Sequence, residues 1–324
     1  MSTSILEVRG LQKRYRQPWA AGSRMVYALN GVDLVVAPGE TLGVVGESGS
    51  GKSTLGRLVL GLEPPSGGTV VFEGADLATL DRGTLRRARR RMQIVFQDPY
   101  TTLNPRHTVG DAVAEGLLIH RMAAGDALRT RVAQLLETVG IGADDAARYP
   151  HEFSGGQRQR IAIARALAVD PVLLICDEPV ASLDVATQSQ ILSLLRQLQT
   201  GRGLSTMFIA HDLGVVARMA HRVAVMYSGR VVETGPVAAV IGQPGHPYTA
   251  ALVASAPRLH PAAGKPRTVL VGEPPVATKP PQGCPFRDRC SHPGKDGRCA
   301  TELPLLRPVG AVEVACHHAT KAPA

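Results

Sequence analysis

The most informative stretch of this sequence is Gly46-Glu47-Ser48-Gly49-Ser50-Gly51-Lys52-Ser53-Thr54. It follows the apolar run Thr41–Val45, which predicts a strand, and precedes Leu55–Leu60, which has the pattern of a helix. Gly-x-x-x-x-Gly-Lys-Ser between a strand and a helix predicts a phosphate-binding loop. Its glycines let the backbone approach a ligand closely, and successive N–H groups at a helix N-terminus bind anions.

The two residues after the last glycine of this loop have separate expected roles. Lys52 would reach the β- and γ-phosphates of a nucleotide, and the Ser53 hydroxyl would complete the coordination of Mg²⁺. The loop alone therefore predicts a nucleoside triphosphatase and leaves its biological task open.

Length and composition predict a globular protein of about two domains. The chain has 324 residues, of which 44% are hydrophobic and 19% are charged. Its net charge of +9 is compatible with nucleic acid, an anionic membrane surface or an anionic ligand. Six arginines fall within Arg82–Arg91, but no aromatic residues alternate with them, which favours a solvated helix face over a nucleic-acid patch.

The sequence predicts a cytoplasmic location. The first seven residues lack the charged and apolar blocks of a signal peptide, and no run of about 18 apolar residues is present. We therefore expect the five cysteines to be reduced or metal-bound rather than paired in disulfides.

Short apolar segments elsewhere predict an α/β fold. Residues 171–176 form a continuous apolar run, typical of a strand buried on both faces of a parallel sheet. This run ends at Asp177 and Glu178, and the carboxyl ends of such strands are where α/β sheets bind ligands. Further strands are predicted at 5–8, 31–36, 69–72, 92–96, 206–210, 222–226 and 230–233, and helices at 82–91, 128–139, 161–167 and 186–199.

The composition changes near residue 242. Fourteen of the 24 prolines lie beyond Gly242, and regular periodicity fades there. We therefore predict a first domain at 1–241, with a helical subdomain at about 98–170, and a second at 242–324. A mobile linker is expected at about 257–282.

Further motifs give the chain a resemblance to the ATP-binding-cassette ATPases. They occur in the family's order over residues 5 to 240: Gln97, Ser154-Gly155-Gly156-Gln157, Asp177-Glu178, Ser182-Leu183-Asp184 and His211. The resemblance implies an α/β fold with a mixed sheet core, a β subdomain and a helical subdomain. The segment before Asp184 reads Val180-Ala181-Ser182-Leu183, where relatives more often have serine then alanine before Leu-Asp, so the role of Ser182 is open.

Other segments resemble the ATPase subunits of bacterial dipeptide and oligopeptide importers. They are Gln97-Asp98-Pro99-Tyr100, Leu103-Asn104-Pro105-Arg106, Tyr149-Pro150-His151-Glu152, Gly245-His246-Pro247-Tyr248-Thr249 and the tail that begins Gly283-Cys284-Pro285-Phe286. The resemblance covers nearly the whole chain.

The resemblance implies roles for individual residues. Tyr15 would stack on adenine, Asp177 would hold Mg²⁺ through water, and Glu178 would act as general base on the attacking water. Gln97 would contact Mg²⁺ and the γ-phosphate and connect them to the membrane partner, and His211 would hydrogen-bond the γ-phosphate.

The resemblance also implies a head-to-tail dimer of two cassettes. The signature segment Ser154–Gln157 of one cassette would close over the ATP of the other, and Asp184 would also contribute to the nucleotide site. The expected partners are a second, related ATPase subunit, two transmembrane permease subunits and an extracytoplasmic substrate-binding protein, with no nucleic acid. The chain would then lie at the cytoplasmic face of the membrane.

Two alternative functions remain open at this point. The same machinery could import another small solute such as nickel or glutathione, because cargo is chosen by other subunits. A soluble cassette protein acting on nucleic acid or ribosomes is less favoured, because such proteins carry two cassettes or a long coiled coil, and no heptad run occurs here.

Four cysteines of the tail form a candidate metal site: Cys284, Cys290, Cys299 and Cys316. Their spacings are wider than the Cys-x-x-Cys pairs usual for zinc, and four thiolates also suit an iron–sulfur cluster. Zinc, iron–sulfur and free thiols are all compatible with the spacing. The opening Cys-Pro-Phe-x-x-Arg-Cys resembles the tails of importer ATPases that carry a [4Fe–4S] cluster. The resemblance therefore implies that the four cysteines bind such a cluster. The fifth cysteine, Cys176, is expected to be an inert core residue within its strand.

Overall fold

The structure, a computed structural model, describes residues 4–19, 22–255 and 277–319. It divides into two compact units. The first unit comprises residues 1–5, 37–40 and 79–207, and the second comprises 6–36, 41–78 and 208–324.

Twelve strands and eleven α-helices lie within the described residues. The strands are β1 (Leu6–Trp19), β2 (Gly22–Val36), β3 (Thr41–Val45), β4 (Gly67–Phe72), β5 (Ala75–Asp76), β6 (Met92–Val95), β7 (Leu173–Asp177), β8 (Ser205–Ala210), β9 (Arg222–Tyr227), β10 (Arg230–Pro236), β11 (Arg307–Val309) and β12 (Val312–Val314). The helices are α1 (Lys52–Val59), α2 (Arg82–Arg91), α3 (Pro99–Thr102), α4 (Val109–Ile119), α5 (Gly125–Thr138), α6 (Gly155–Leu167), α7 (Val185–Arg202), α8 (Leu213–Met219), α9 (Val237–Gly242), α10 (Pro247–Ser255) and α11 (Arg298–Thr301).

The first unit combines a parallel strand pair with helices. Strands β6 and β7 pair in parallel, with Met92 opposite Leu173 and Val95 opposite Cys176. The first four residues of β7 are buried, as its continuous apolar sequence predicts. Helices α3 to α6 fall within residues 98–170, where the sequence predicts a helical subdomain, and α3, α4 and α5 all pack against α6.

The second unit contains two sheets. The long antiparallel hairpin of β1 and β2 joins β4 and β5 in the order β2-β1-β4-β5. In the other sheet, the strands of this unit follow the order β11-β12-β10-β9-β3-β8, with β3 and β9 parallel. Only the last three residues of β8 belong to this unit, because the boundary falls between Met207 and Phe208. Strand β3 is buried at all five positions, and α1 follows it.

Most predicted elements up to residue 236 are confirmed, and β3 and α2 have the predicted bounds. The expectation of irregular structure beyond residue 242 was incomplete, because α10, β11 and β12 form there. Strand β12 pairs with β10, placing Val314 opposite Glu233. Most of the predicted linker, residues 256–276, lies outside the described residues. No helix in the described part of the chain is long and apolar enough to cross a membrane.

Candidate functional site

The phosphate-binding loop (residues 46–54) begins directly after β3 and continues into the first turn of α1. Gly51 caps α1 in the left-handed region, with φ of 101°. A Cβ at this position would lie 2.5 Å from the carbonyl oxygen of Ala28, and one on Gly46 would lie 2.2 Å from that of Met226. Only glycine therefore fits at these two positions of close backbone approach.

Polar groups of the loop are buried around the start of α1. Lys52 is 4% exposed, and its Nζ donates to the carbonyl oxygens of Gly46 at 2.7 Å and Glu47 at 3.0 Å. The Ser50 Oγ is buried and has no hydrogen-bond partner among the described residues. A buried hydroxyl without a partner, an ammonium group and a helix N-terminus together fit a phosphate group.

Tyr15 lies beside this helix in the second unit. Its hydroxyl donates to Glu63 Oε2 at 2.7 Å and hydrogen-bonds with Thr54, the last residue of the loop. Burial, followed by the hydrogen bond to Glu63, raises the pKa of Tyr15 above its ordinary value. The ring is half-buried, and Lys13 Nζ lies 5.0 Å from its centre. The aromatic residue proposed to stack on adenine is thus linked to the phosphate-binding loop.

His211 also belongs to the second unit. It is exposed and follows β8 directly. The next residue, Asp212, caps α8 by accepting a hydrogen bond from Gly214 N at 2.7 Å. The phosphate-binding loop, Tyr15 and His211 are therefore the sequence-predicted nucleotide residues that the second unit carries.

In the first unit, β7 positions the paired carboxylates. Asp177 is its last residue, and Glu178 follows with φ of +50°, a conformation that residues other than glycine rarely adopt. Strain of this kind costs about 1–3 kcal/mol and concentrates at functional sites. Glu178 is one of five described residues other than glycine with a positive φ, and the one of them that directly follows a buried strand of the sheet at a predicted site residue.

The signature segment caps α6. Ser154 Oγ accepts from Gln157 N at 3.3 Å, and Gln157 Oε1 accepts from Ser154 N at 2.9 Å. This reciprocal arrangement is a capping box, and the Ser-x-x-Gln pattern could have predicted it from sequence. Ser154 and Gln157 are exposed, and a Cβ on Gly156 would lie 2.3 Å from Thr187 Cγ2. The exposed helix N-terminus is suited to an anion from outside this unit.

Two more predicted site residues lie at element ends in the first unit. Gln97 is exposed in the turn after β6. Asp184 caps α7, accepting hydrogen bonds from Thr187 Oγ1 at 2.6 Å and Thr187 N at 2.9 Å. These bonds from Thr187 hold the pKa of Asp184 below its ordinary value. Asp184 therefore has a helix-capping role in the structure besides the nucleotide contact that the resemblance implies.

The tail brings its four cysteines to one cavity. Cys284, Cys290, Cys299 and Cys316 all line it, together with His246, His292, His317 and His318. A backbone hydrogen bond joins the segments of two of these cysteines, since Cys284 N donates to Cys299 O at 2.9 Å. Burial raises the pKa of Cys284 to about 11 and also raises that of Cys316, so bound metal would have to displace their protons. The donor set fits an iron–sulfur cluster in number and type.

The same region holds a second possible ligand set. One potential ligand atom each from Asp296, Cys299 and His318 lies within 4.8 Å of the other two. His318 Nε2 is buried without a hydrogen-bond partner among the described residues and lies 3.6 Å from Asp296 Oδ1. These mixed ligands are of the types that zinc uses.

Sequence reasoning missed two residues that contact the phosphate-binding loop, Arg289 and Tyr248, and the role of Glu47 within the loop. The Arg289 guanidinium pairs with the Glu47 carboxylate at 2.6 and 2.9 Å, and Tyr248 Oη accepts from Glu47 N at 2.8 Å. No sequence signal could have found the pair Glu47 and Arg289, which lie 242 positions apart.

The chain matches two sequence families over two separate regions. Residues 29–181 match the family described as ABC transporter, and residues 232–299 match the oligopeptide/dipeptide transporter C-terminal region. A protein of Brucella abortus named as a peptide import ATP-binding protein is 49% identical over 91% of this chain and 88% of its own. Another with the same description, from Brucella ovis, is 46% identical over 95% of both chains.

Solved structures are similar in fold to the greater part of the chain. The dimeric ATP-binding cassette MJ0796, in a post-hydrolysis state bound to ADP and Pi, superposes with a TM-score of 0.65 at 31% identity, covering 72% of this chain and 98% of its own. The cbiO1 protein of Clostridium perfringens, part of the ABC transporter complex cbiONQ, has a TM-score of 0.65 at 32% identity, covering 74% of this chain and 91% of its own.

Proposed function

The chain belongs to the ABC transporter family, and from this membership we propose that it is the ATP-hydrolysing subunit of an importer of dipeptides and oligopeptides. The observation that carries the proposal is the phosphate-binding loop. Its buried Lys52 and its Ser50 hydroxyl, which has no hydrogen-bond partner within the described part of the chain, suit a nucleotide phosphate. The peptide cargo is inferred from the C-terminal region and from the names of the relatives.

We propose that ATP binds along the phosphate-binding loop. The backbone N–H groups and Lys52 would hold the phosphates, with Ser48, Gly49, Ser50 and Thr54 forming the rest of the cradle. Tyr15 would stack on the adenine, a position supported by its hydrogen bond with Thr54. His211 would donate a hydrogen bond to the γ-phosphate.

The hydrolytic step requires a base, and we assign it to Glu178. A carboxylate accepts the proton of the attacking water, and its strained backbone supports a fixed orientation. Ser53, Gln97 and Asp177 would hold Mg²⁺ directly or through water. When bound, the metal would neutralise negative charge on the phosphate oxygens.

We propose that the signature segment acts on a second cassette. Ser154, Gly155, Gly156 and Gln157 stand at the exposed N-terminus of α6, where the helix dipole favours an anion. The γ-phosphate bound by a partner cassette would provide that anion, and Asp184 would contribute to the same site. The dimeric state of the similar cassette MJ0796 supports this arrangement.

An importer ATPase acts with membrane permease subunits. We propose that the second ATPase is a related but distinct chain, giving a heterodimer, and that a substrate-binding protein outside the membrane delivers the peptide. The chain would then be peripheral, at the cytoplasmic face of the membrane. Co-purification of the permeases with two different ATPase chains is the measurement that tests this composition.

For the four-cysteine extension, defined here as residues 284–316, we propose a [4Fe–4S] cluster held by Cys284, Cys290, Cys299 and Cys316. The shared cavity and the four thiol ligands support it. The cluster would supply a covalent staple for a segment that is rich in proline and poor in apolar residues. A zinc ion on Asp296, Cys299 and His318 is the competing assignment, and iron and zinc analysis of the purified chain distinguishes the two.

The test of the proposed function measures ATP hydrolysis and uptake of labelled peptide by the assembled transporter in vesicles. Lys52→Ala should weaken ATP binding by about 10- to 100-fold, because it removes charge-assisted hydrogen bonds to phosphate. Hydrolysis and peptide uptake should fall with it. Peptide uptake that is unaffected by this variant would contradict the proposal, and ATP-driven uptake of nickel or glutathione instead of peptide would overturn the cargo.

A further inference from the structure

Glu47 is the second residue of the phosphate-binding loop, and its side chain is held from far along the chain. Arg289 Nη1 lies 2.6 Å from Glu47 Oε2, and Arg289 Nη2 lies 2.9 Å from Oε1. The Arg289 side chain is only 8% exposed, against 24% for Glu47. A two-bond guanidinium–carboxylate pair at such low exposure fixes the carboxylate in direction as well as distance.

The backbone of Glu47 is held as well. Its N–H donates to the Tyr248 hydroxyl at 2.8 Å, and its carbonyl oxygen accepts from Lys52 Nζ at 3.0 Å. Tyr248 is fully buried and packs edge-on against Tyr227, with ring centres 4.7 Å apart. The backbone of Glu47 thus contacts the buried interior of the second unit.

The Arg289 contact connects the loop directly to the segment that carries the cysteines, whereas Tyr248 lies on α10. Arg289 directly precedes Cys290 and ends the short turn Arg287–Arg289. Phe286, at the start of this turn, packs 5.2 Å from the Tyr227 ring and 5.4 Å from the Tyr248 ring. A displacement of the segment around Cys290 would therefore move Arg289 and release Glu47.

We propose that Arg289 and Tyr248 are positioning residues that hold the phosphate-binding loop ready for nucleotide, so that ATP affinity depends on the four-cysteine extension. A loop that cradles phosphate through its N–H groups binds best when its backbone is fixed in advance. Linkage makes the coupling reciprocal, so nucleotide binding also stabilises the extension. The inference rests on the proposed function in taking ATP as the ligand.

The experiment measures the affinity of the purified full chain for a fluorescent ATP analogue in the presence of Mg²⁺. Arg289→Ala and Glu47→Gln should each weaken binding by about tenfold, the scale of one charge-assisted pair. The double variant should be no weaker than either single one, because both changes remove the same interaction. Arg289→Lys should recover part of the affinity, since lysine keeps the charge and loses the paired geometry.

Arg287→Ala is the matched control. It removes an arginine from the same turn, whose side chain pairs with the neighbouring Asp288, and should bind the analogue as the wild type does. Tyr248→Phe removes only the hydroxyl and keeps the buried ring, so it tests the backbone contact if Arg289→Ala does not fold. Hydrogen exchange of residues 284–290 should slow on nucleotide binding in the wild type and not in Arg289→Ala.

The outcomes separate this inference from the proposed function. Wild-type affinity in Glu47→Gln and Tyr248→Phe, with affinity lost in Lys52→Ala, would overturn the positioning role and leave the ATP site intact. Wild-type affinity in Lys52→Ala would instead overturn the ATP site itself.

Discussion

At the scale of single residues, Glu178 combines a carboxylate with a strained backbone. Its φ of +50° has an energetic cost that neighbouring structure must offset. Asp177, the residue before it, is the last of the buried strand β7, so the strained residue is the first one after that strand. A backbone fixed in this way would keep the Glu178 carboxylate in one orientation each time a new water molecule enters the site.

Glu178→Gln tests the assignment of the general base. The amide keeps the size of the side chain and cannot accept the proton, so hydrolysis should fall by about 10²–10⁴-fold. ATP affinity should remain within a few-fold of the wild type, and the closed dimer should accumulate with ATP. Single-turnover hydrolysis and equilibrium binding check the two expectations separately. A glutamine variant with normal turnover would show that another group accepts the proton.

Sequence reasoning predicted the elements around the site where a local motif carried the signal, and the roles of the residues in those motifs stay predictions. The loop at Gly46 and the carboxylates after β7 could be found because flanking strand and helix patterns agree with the motif. Glu47 was passed over, because its contacts come from Tyr248 and Arg289, which no local pattern connects to it.

At the scale of elements, the four-cysteine extension has little regular structure of its own. It contains the short helix α11, the turn Arg287–Arg289 and two three-residue strands, β11 and β12. So small a segment buries little apolar surface and depends on cross-links or on docking against other elements.

Metal content tests the ligand of this extension. Anaerobic purification should give brown protein with about four irons per chain. Cys284→Ser should lose most of the iron and the visible absorbance, whereas Asp296→Asn should keep both, because only the first residue belongs to the four-cysteine set. Colourless protein with stoichiometric zinc, which Asp296→Asn reduces, would establish the mixed ligand set instead.

The elements that the sequence predicted least well are those stabilised by distant partners. Strand β3 and helix α2 have strong local patterns, an apolar run and an aspartate cap at Asp81. Strand β12 has three residues and exists because β10 pairs with it across the chain. Helix α10 begins at Pro247, where Gly245 N and His246 N donate to the buried Glu233 carboxylate.

At the scale of the whole molecule, the nucleotide residues are divided between the two compact units. Tyr15, the phosphate-binding loop and His211 belong to one, and Gln97, the signature segment, Asp177, Glu178 and Asp184 to the other. The residues that the resemblance assigns to the nucleotide are therefore not confined to one unit.

The partner arrangement predicts activity that depends on concentration. The purified chain should hydrolyse ATP slowly, with specific activity that falls on dilution because the shared sites dissociate. Adding the second ATPase chain and the permeases should raise the rate. Mixing a Ser154→Ala form of this chain with the wild-type partner separates the two sites, because only the nucleotide held by the partner loses its signature contact. Full turnover by a dilute monomer would refute the shared sites.

The sheet of the second unit ends, within the described residues, at β11, whose three residues include Pro308. Proline has no N–H to offer, and so short a strand gives an incoming chain little to pair with. Without β11 and β12, the longer strand β10 would expose unpaired backbone N–H and C=O groups, and pairing of these groups with another molecule would cause aggregation. Strands β11 and β12 thus end this side of the sheet with an edge to which a neighbouring molecule cannot readily add a strand.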